Sequence, residues 1–371
     1  MNLNSTDSPL DLVLLYGGTG GEREVSCLSA ASIFHHLDPQ RYRIRRIGIA
    51  PTGTWYLQPS VPTSETGKAL EILTEGRPRV AALPGDGLWH ETSPGNWQKL
   101  PVDVVFNIVH GVFGEDGRVQ GLLETAGVPF TGAKTAGSAL GMDKVFAKQI
   151  WEQKGLPVVP YALAHKHDHE RDTGYALQLF EDCQKRFKLP LFVKPANSGS
   201  SVGVSKAHDW ASFTRALNEA FAVDAKVLIE KAMTVREVEV AVLGNYHPQA
   251  YGPGEIEPTH EFYDYEAKYL DPEGARLLIP ARLTAELAKS LLETAVKAYE
   301  ALDVKGFSRV DFFVDKESGD FYINEINTLP GFTTISMFPR MVMSSGLSYA
   351  ELLDRIVDAG LERGLYSVGK S

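Results

Sequence analysis

The chain has 371 residues, 43% hydrophobic and 23% charged, the balance of an ordinary soluble protein with room for roughly two or three domains and a substantial core. A formal net charge of −10 leaves no excess of lysine and arginine to neutralise nucleic acid or an anionic membrane surface, so neither partner is expected and any phosphate site must be local. Two cysteines, Cys27 and Cys183, exclude a disulfide framework and a cysteine zinc site and fit a reducing compartment. No apolar run reaches the roughly 18 residues of a membrane span, and the polar start MNLNSTDSP has no signal-peptide core, so a cytoplasmic location is expected.

Residues 1–9 read as a disordered leader. Leu10–Tyr16 is a short apolar strand, followed by the turn GGTGGE (Gly17–Glu22), a helix over Val25–Leu37 and a strand over Tyr42–Ala50. Such an order opens an α/β unit with a parallel sheet. The turn is not a dinucleotide fingerprint, because G-x-G-x-x-G fails when counted from Gly18 or Gly20. Glu22, at the head of the helix, is either a dipole partner or a carboxylate aimed at a ligand's ammonium. Residues 51–100, rich in Pro, Gly, Thr and Ser, read as a partly structured insertion with edge strands. The buried strand Val102–Val109 ends in HGVFGEDG (His110–Gly117), and the carboxyl end of a strand is where open α/β sheets place ligands. His110 is open to two readings, a structural hydrogen bond or a ligand contact.

The small, Gly-rich Thr131–Gly141 reads as a boundary. A helix carrying MDK (Met142–Lys144) runs to Lys154, and Leu156–Ala162 is strand-like. HKHDHE (His165–Glu170) has three histidines on a polar stretch with no downstream ligands, which favours a solvated loop over a zinc site. A helix ends through Phe180–Lys188, the strand Leu189–Lys194 follows, and then KPANSGSSVGVSK (Lys194–Lys206), whose Val202–Ser205 is again strand-like. Backbone N–H groups, hydroxyls and a fixed lysine in such a loop suit phosphate oxygens, although no G-K-[ST] of a Walker A loop occurs. The helix Trp210–Phe221 leads to the strand Lys226–Glu230 and then to REVEVAVLG, which carries Glu237; these acids either meet a base edge or are ordinary strand residues. The loop over 252–279 contains PTHEFYDYEAKYLDPEG, with Lys268 and Tyr269, and its length and aromatics favour function over disorder. The helix Thr284–Leu302 precedes the stretch RVDFFVDKESGDFYINEINTLPG (Arg309–Gly331), and Ser348–Gly364 is an amphipathic C-terminal helix.

Arg309–Gly331 is the most informative stretch. Two runs of period-2 alternation, Arg309–Val314 and Phe321–Asn327, flank the turn-rich Asp315–Asp320, the pattern of a β-hairpin. Closed about Ser318, it sets Asp311 opposite Glu325 and Arg309 opposite Asn327, with Phe321, Ile323, Glu325 and Asn327 on one face. Two carboxylates and an amide oxygen on one patch are hard ligands of the kind Mg²⁺ takes together with substrate phosphates. A solvated hairpin face and a two-carboxylate glycosidase site remain the alternatives from spacing alone.

The ordered set GGTGGEREVS, HGVFGEDGRVQGLLE, GMDK, KPANSGSSVGVSK, IEK, DYEAKYL, GFSRVDFFVD and NEINTLPGFT resembles the D-alanine–D-alanine ligases of the ATP-grasp superfamily over nearly the whole chain. The resemblance implies a three-domain α/β fold: a Rossmann-like N-terminal domain (1–132, with the insertion at 51–100), a central ATP-grasp domain (133–230) and a C-terminal one (231–371), with ATP between two antiparallel sheets. It implies that Asp311, Glu325 and Asn327 hold two Mg²⁺ (or Mn²⁺), and that Lys144, Lys194, Lys268 and the loop residues Ser198, Ser200 and Ser201 hold the ATP phosphates. By the same resemblance Glu230, Lys231 and Glu237 meet the adenine and ribose, Arg309 and the Gly331 N–H form an oxyanion hole, and Glu22 and His110 lie at the first D-alanine. Ser336 and the backbone at Met337 would grip the second substrate's carboxylate, and Tyr269, Ser200 and Glu22 would link the 252–279 loop to the phosphate loop and the first helix. Relatives that make D-alanyl-D-lactate carry a histidine in place of Tyr269, so the tyrosine implies an amine nucleophile and a dipeptide product for peptidoglycan synthesis. D-serine or D-lactate as second substrate, and a non-catalytic nucleotide-binding module, are the alternatives. A homodimer is expected by family analogy. Gly20 stands where the family usually has serine, and Met337 where it usually has leucine.

Overall fold

The computed structural model describes residues 8–60, 68–258, 275–333 and 335–366. Its first third is one sheet built from β1 (Leu10–Gly17), β2 (Tyr42–Ile49), β3 (Trp55–Leu57), β4 (Arg79–Leu83), β5 (Gly87–Ser93), β6 (Asn96–Lys99) and β7 (Val104–Asn107), with α1 (Arg23–His36) and α2 (Arg118–Ala126). The order is β6-β5-β4-β3-β2-β1-β7. β1 lies parallel to both β2 and β7. It is covered on both faces, which is why LVLLY reads as an unbroken apolar run. The described part of the 51–100 segment carries the edge strands expected of it: its four strands extend the sheet antiparallel from the edge of β2. The outermost, β6, is short and exposed throughout, a harmless edge.

The middle third holds α3 (Thr135–Met142), α4 (Lys144–Gln153), β8 (Tyr161–His165), α5 (Lys166–Arg171), α6 (Tyr175–Phe187), β9 (Leu191–Pro195), β10 (Ser205–Ala207), α7 (Trp210–Val223) and β11 (Lys226–Lys231). Most of Thr131–Gly141 is helical, its glycines allowing close approach: a Cβ on Gly141 would come within 2.7 Å of Thr328. Two local readings need correction. The strand expected from Leu156 begins only at Tyr161, because Pro157 and Pro160 interrupt it and the Pro157 carbonyl accepts the N–H of Ile323 instead (2.8 Å). His165–Glu170 is largely a short helix, with His169 stacked on Phe221 at 5.4 Å. The sheet, β10-β9-β11-β8, is antiparallel throughout. Leu191, Val193, Val227 and Ile229 face α6 and α7, while Lys194, Leu228 and Glu230 share the other face.

The last third comprises β12 (Val235–Leu243), β13 (Gln249–Pro258), β14 (Ala275–Leu278), α8 (Ala285–Ala301), β15 (Phe307–Asp315), β16 (Phe321–Asn327), α9 (Met337–Ser344) and α10 (Tyr349–Tyr366). Its sheet order is β14-β13-β12-β15-β16. Val238, Val240, Val242, Val310, Phe312 and Val314 pack under α8, so the alternate positions Glu239, Arg309 and Asp311 occupy the opposite face. The ends of the 252–279 segment are strand, while Lys268 and Tyr269 lie outside the described residues. Phe332, Phe338, Leu352 and Ile356 join Leu12, Leu14 and Phe106 in one core, which fastens α9 and α10 to the N-terminal sheet.

Candidate active site

The hairpin closes as its alternation requires: Arg309 pairs with Asn327 and Asp311 with Glu325. The register then shifts, so that Phe312 faces Ile323 and Asn324 is the extra residue of a β-bulge. Ile323 and Phe321 therefore turn into the α8 core rather than sharing a face with Glu325, and Asn324 turns its Oδ1 to within 3.2 Å of Lys194 Nζ. Arg309 grips Asp311 with two parallel hydrogen bonds (2.7 and 2.6 Å) and lies 3.1 Å from Glu239. Lys144 Nζ is 3.2 Å from Glu325. Two directly opposed carboxylates with an amide two pairs along are the donor chemistry that Mg²⁺ takes, and each carboxylate already faces a cation of the site.

Lys144 opens α4, whose first turn is capped by Asp143 Oδ1, accepting from the N–H groups of Val145 (3.0 Å) and Phe146 (3.1 Å). Its ammonium donates to the Ser198 carbonyl at 2.6 Å, tying the helix to the phosphate-type loop. In that loop Ser200 and Ser201 hold left-handed backbone (φ 49° and 59°), an uncommon conformation for residues that carry a Cβ. Ser198 Oγ donates to the Val202 carbonyl at 2.7 Å, and Ser201 is exposed.

On the facing sheet Glu230 is buried between two lysines: Oε1 lies 2.8 Å from Lys148 Nζ and Oε2 lies 2.6 Å from Lys194 Nζ. Burial alone would raise this carboxyl, but Lys148 and Lys194 together hold it below its usual range. Burial pushes the Lys148 ammonium down against the pull of Glu230. Glu237 lies on the strand β12, half-buried, and Lys231 is exposed at the end of β11 with its N–H on the Pro160 carbonyl.

Glu22 is the residue before α1 and makes no side-chain cap; its carboxylate instead accepts a hydrogen bond from Ser200 Oγ. The pocket around it is lined by glycine backbone. A Cβ on Gly111 would strike Glu22 Oε2, and Gly111 has φ +79° besides. Gly111→Ala is expected to displace Glu22; if Glu22 meets the first D-alanine, as the resemblance implies, kcat/KM for that substrate falls by about 10²-fold while KM for ATP is unchanged, and steady-state kinetics varying each substrate in turn decides this. His110 is buried, 3.1 Å from Ser29 Oγ through Nε2 and 3.6 Å from Glu115 through Nδ1. Ser336 precedes α9 and Met337 begins it, a helix N-terminus suited to a carboxylate; Ser336 Oγ accepts the Thr333 N–H at 2.9 Å. Gly331 is buried in the turn after β16.

One cleft is lined by Glu22, Lys144, Ser200, Arg309, Glu325 and Asn327, drawn from all three thirds of the chain. Glu115 also lines it and Glu239 pairs with Arg309, which does; Lys148 and Asn324 stand further back, on Glu230 and on Lys194. None of these four is singled out by the sequence reading. Glu115, inside HGVFGEDG, carried the only local signal; the others are placed by long-range packing and a bulge.

The model of the D-ala D-ala ligase N-terminus matches residues 11–133 and that of the C-terminus matches residues 150–358. The D-alanine–D-alanine ligase of Treponema denticola is 43% identical over 358 residues, covering 95% of this chain and 96% of the relative. Among solved structures, the D-alanine–D-alanine ligase of Coxiella burnetii superposes with a TM-score of 0.83 at 32% identity, over 97% of this chain and 96% of that one. The VanG D-Ala:D-Ser ligase of Enterococcus faecalis gives 0.81 at 32% identity, over 95% and 99%. With matches that span both halves of the chain, it belongs to the D-alanine–D-alanine ligase family.

Proposed function

We propose that the protein is an ATP-dependent ligase that joins two D-alanine molecules into D-alanyl-D-alanine, a peptidoglycan precursor, through an acyl phosphate. The observation that carries this reading is the cleft itself, in which Glu325, the cations Lys144 and Arg309, and the carboxylate of Glu22 are brought together, with Asp311 opposite Glu325 and held by Arg309. Phosphoryl transfer needs neutralisation and in-line positioning more than covalent help. Lys144 and Lys194 serve the ATP phosphates beneath the Ser198–Ser201 loop, and Glu230, Lys231 and Glu237 the nucleoside. Two Mg²⁺ (or Mn²⁺), held by Asp311, Glu325 and Asn327, would neutralise charge on the phosphates. Glu22 takes the ammonium of the first D-alanine beside His110, while Ser336 and Met337 take the carboxylate of the second. Arg309 and the Gly331 N–H stabilise the oxyanion that forms when the second amine attacks. Lys268 and Tyr269 complete the reading from outside the described residues. Each of the segments 1–132, 133–230 and 231–371 supplies one sheet to this division of labour. No described helix is long and apolar enough to cross a membrane. By analogy with the family we propose a cytoplasmic homodimer.

A second reading, with D-serine as the second substrate, is favoured by the close match to a D-Ala:D-Ser ligase. Phosphate release with ATP and Mg²⁺, scanned over D-alanine, D-serine and D-lactate with product mass, separates the two. D-alanyl-D-alanine as the main product supports the first reading; preferential D-alanyl-D-serine replaces it with the second; no turnover with any D-amino acid overturns both.

A further inference from the structure

Helix α1 carries serines at positions 26, 29 and 32, spaced three apart on one face, and each hydroxyl bonds to a group outside the helix. Ser26 Oγ donates to the Ile108 carbonyl (2.6 Å) and accepts from the Gly17 N–H (2.9 Å), locking α1 to β1 and to the segment after β7. Ser29 Oγ accepts the N–H of Phe332 at 3.2 Å. Ser32 Oγ lies 3.0 Å from the hydroxyl of Tyr349, and that hydroxyl donates to the carbonyl of Phe332 at 2.9 Å. Both backbone groups of Phe332 are thus held by side chains from two other elements, α1 and α10. Its ring is fully buried against Phe106, Phe307, Phe338 and Tyr349. At the other end of the same short turn, the Leu329 N–H donates to Asn327 Oδ1 at 3.0 Å.

Between these two anchors lies Pro330-Gly331. A glycine is the residue least able to fix its own backbone orientation, yet an oxyanion donor acts only if its N–H is aimed to within a few tenths of an ångström before the charge develops. We propose that Ser29 and Tyr349 are positioning residues for the reaction: by pinning both sides of Phe332 they hold the Gly331 N–H on the oxyanion of the tetrahedral intermediate. The proposal rests on the ligase reading given above. It assigns the two hydroxyls to the second chemical step, amine attack on the acyl phosphate, and not to its formation. Ser29 Oγ also lies 3.1 Å from His110 Nε2, a hydrogen bond whose direction follows the imidazole tautomer. Ser29 therefore also orients His110, which makes Tyr349 the cleaner residue to change.

The test separates the two steps in the full-length protein. Scrambling of ¹⁸O between bridging and non-bridging positions of ATP, dependent on D-alanine, reports acyl-phosphate formation, and dipeptide appearance reports ligation. Tyr349→Phe keeps the half-buried ring and loses only the hydroxyl. Its kcat for dipeptide is expected to fall about tenfold, a fraction of the 10²–10³ that complete loss of a donor costs, while the scrambling rate and KM for ATP stay within about twofold of the unaltered protein. Ser29→Ala, the deciding variant if Tyr349→Phe does not fold, is expected to raise KM for the first D-alanine through His110 as well, so it is read by the ratio of ligation to scrambling at saturating D-alanine, which should fall by a similar factor. An unchanged kcat in a folded variant overturns the proposal, as does an equal fall in scrambling and ligation, which marks a structural role. If the unaltered protein shows neither scrambling nor dipeptide with D-alanine, the ligase reading fails and the proposal falls with it.

Discussion

Glu325→Gln is expected to lower ATP-dependent dipeptide formation by about 10³-fold or more, the several kcal/mol of charge stabilisation that a bound metal supplies to phosphoryl transfer. The substitution preserves volume and one oxygen but removes half of the opposed carboxylate pair, since Glu325 faces Asp311 directly across the hairpin. It also leaves Lys144, 3.2 Å away, without its charged partner on β16. The Glu325 side chain retains 28% of its exposure, so little stability rests on it and the thermal midpoint should move little. Phosphate release and dipeptide appearance measured across a Mg²⁺ titration provide the check. A variant that reaches near-normal turnover at saturating Mg²⁺ would show that Glu325 is not a ligand that matters, and the metal reading of the hairpin would have to move to Asp311 and Asn327 alone.

Why this hairpin was legible, and its neighbour residues were not, follows from the range of the forces involved. Period-2 alternation around the turn Asp315–Asp320 sets the register locally, so the pairs Arg309/Asn327 and Asp311/Glu325 follow from sequence. The bulge does not, because the residue that it inserts is chosen by what lies on either side: Ile323 enters the α8 core and Asn324 meets Lys194 of another sheet. Helix α3 was hidden by its glycines, which lower intrinsic propensity but admit Thr328 at close range. Helix α9 is only eight residues long and carries Pro339 near its start, where proline is tolerated. The role of Glu22 was open between helix dipole and ligand; its contact with Ser200, 178 residues away, removes it from the simple capping account. Glu230 read as a strand-end acid, and nothing local announces that Lys148 and Lys194 enclose it.

That enclosure leads to the second large effect. Lys148 is fully buried, with its ammonium on Glu230 (2.8 Å) and on the Val159 carbonyl (3.3 Å). Lys148→Met is expected to destabilise the protein by about 3–5 kcal/mol, because it leaves Glu230 a buried charge with one partner instead of two. Adding Glu230→Gln removes that stranded charge and should restore much of the loss, so denaturant midpoints of the single and double variants form the test; a double variant as unstable as the single would place the cost in packing rather than charge. The sign of the pH dependence is also fixed. Glu230 is held below its ordinary value of 4.5, so the stability it contributes is present above that pH and is lost as the pH falls below it toward the depressed folded value. The gap between the unaltered protein and the double variant should therefore narrow in acid. If Lys194 serves an ATP phosphate and Glu230 the nucleoside, as proposed, Lys148 would remain as the buried partner of Glu230 when the nucleotide binds. Lys148→Met, assayed where it is folded, should raise KM for ATP well before it affects KM for D-alanine, whereas equal changes in both would separate Lys148 from the nucleotide.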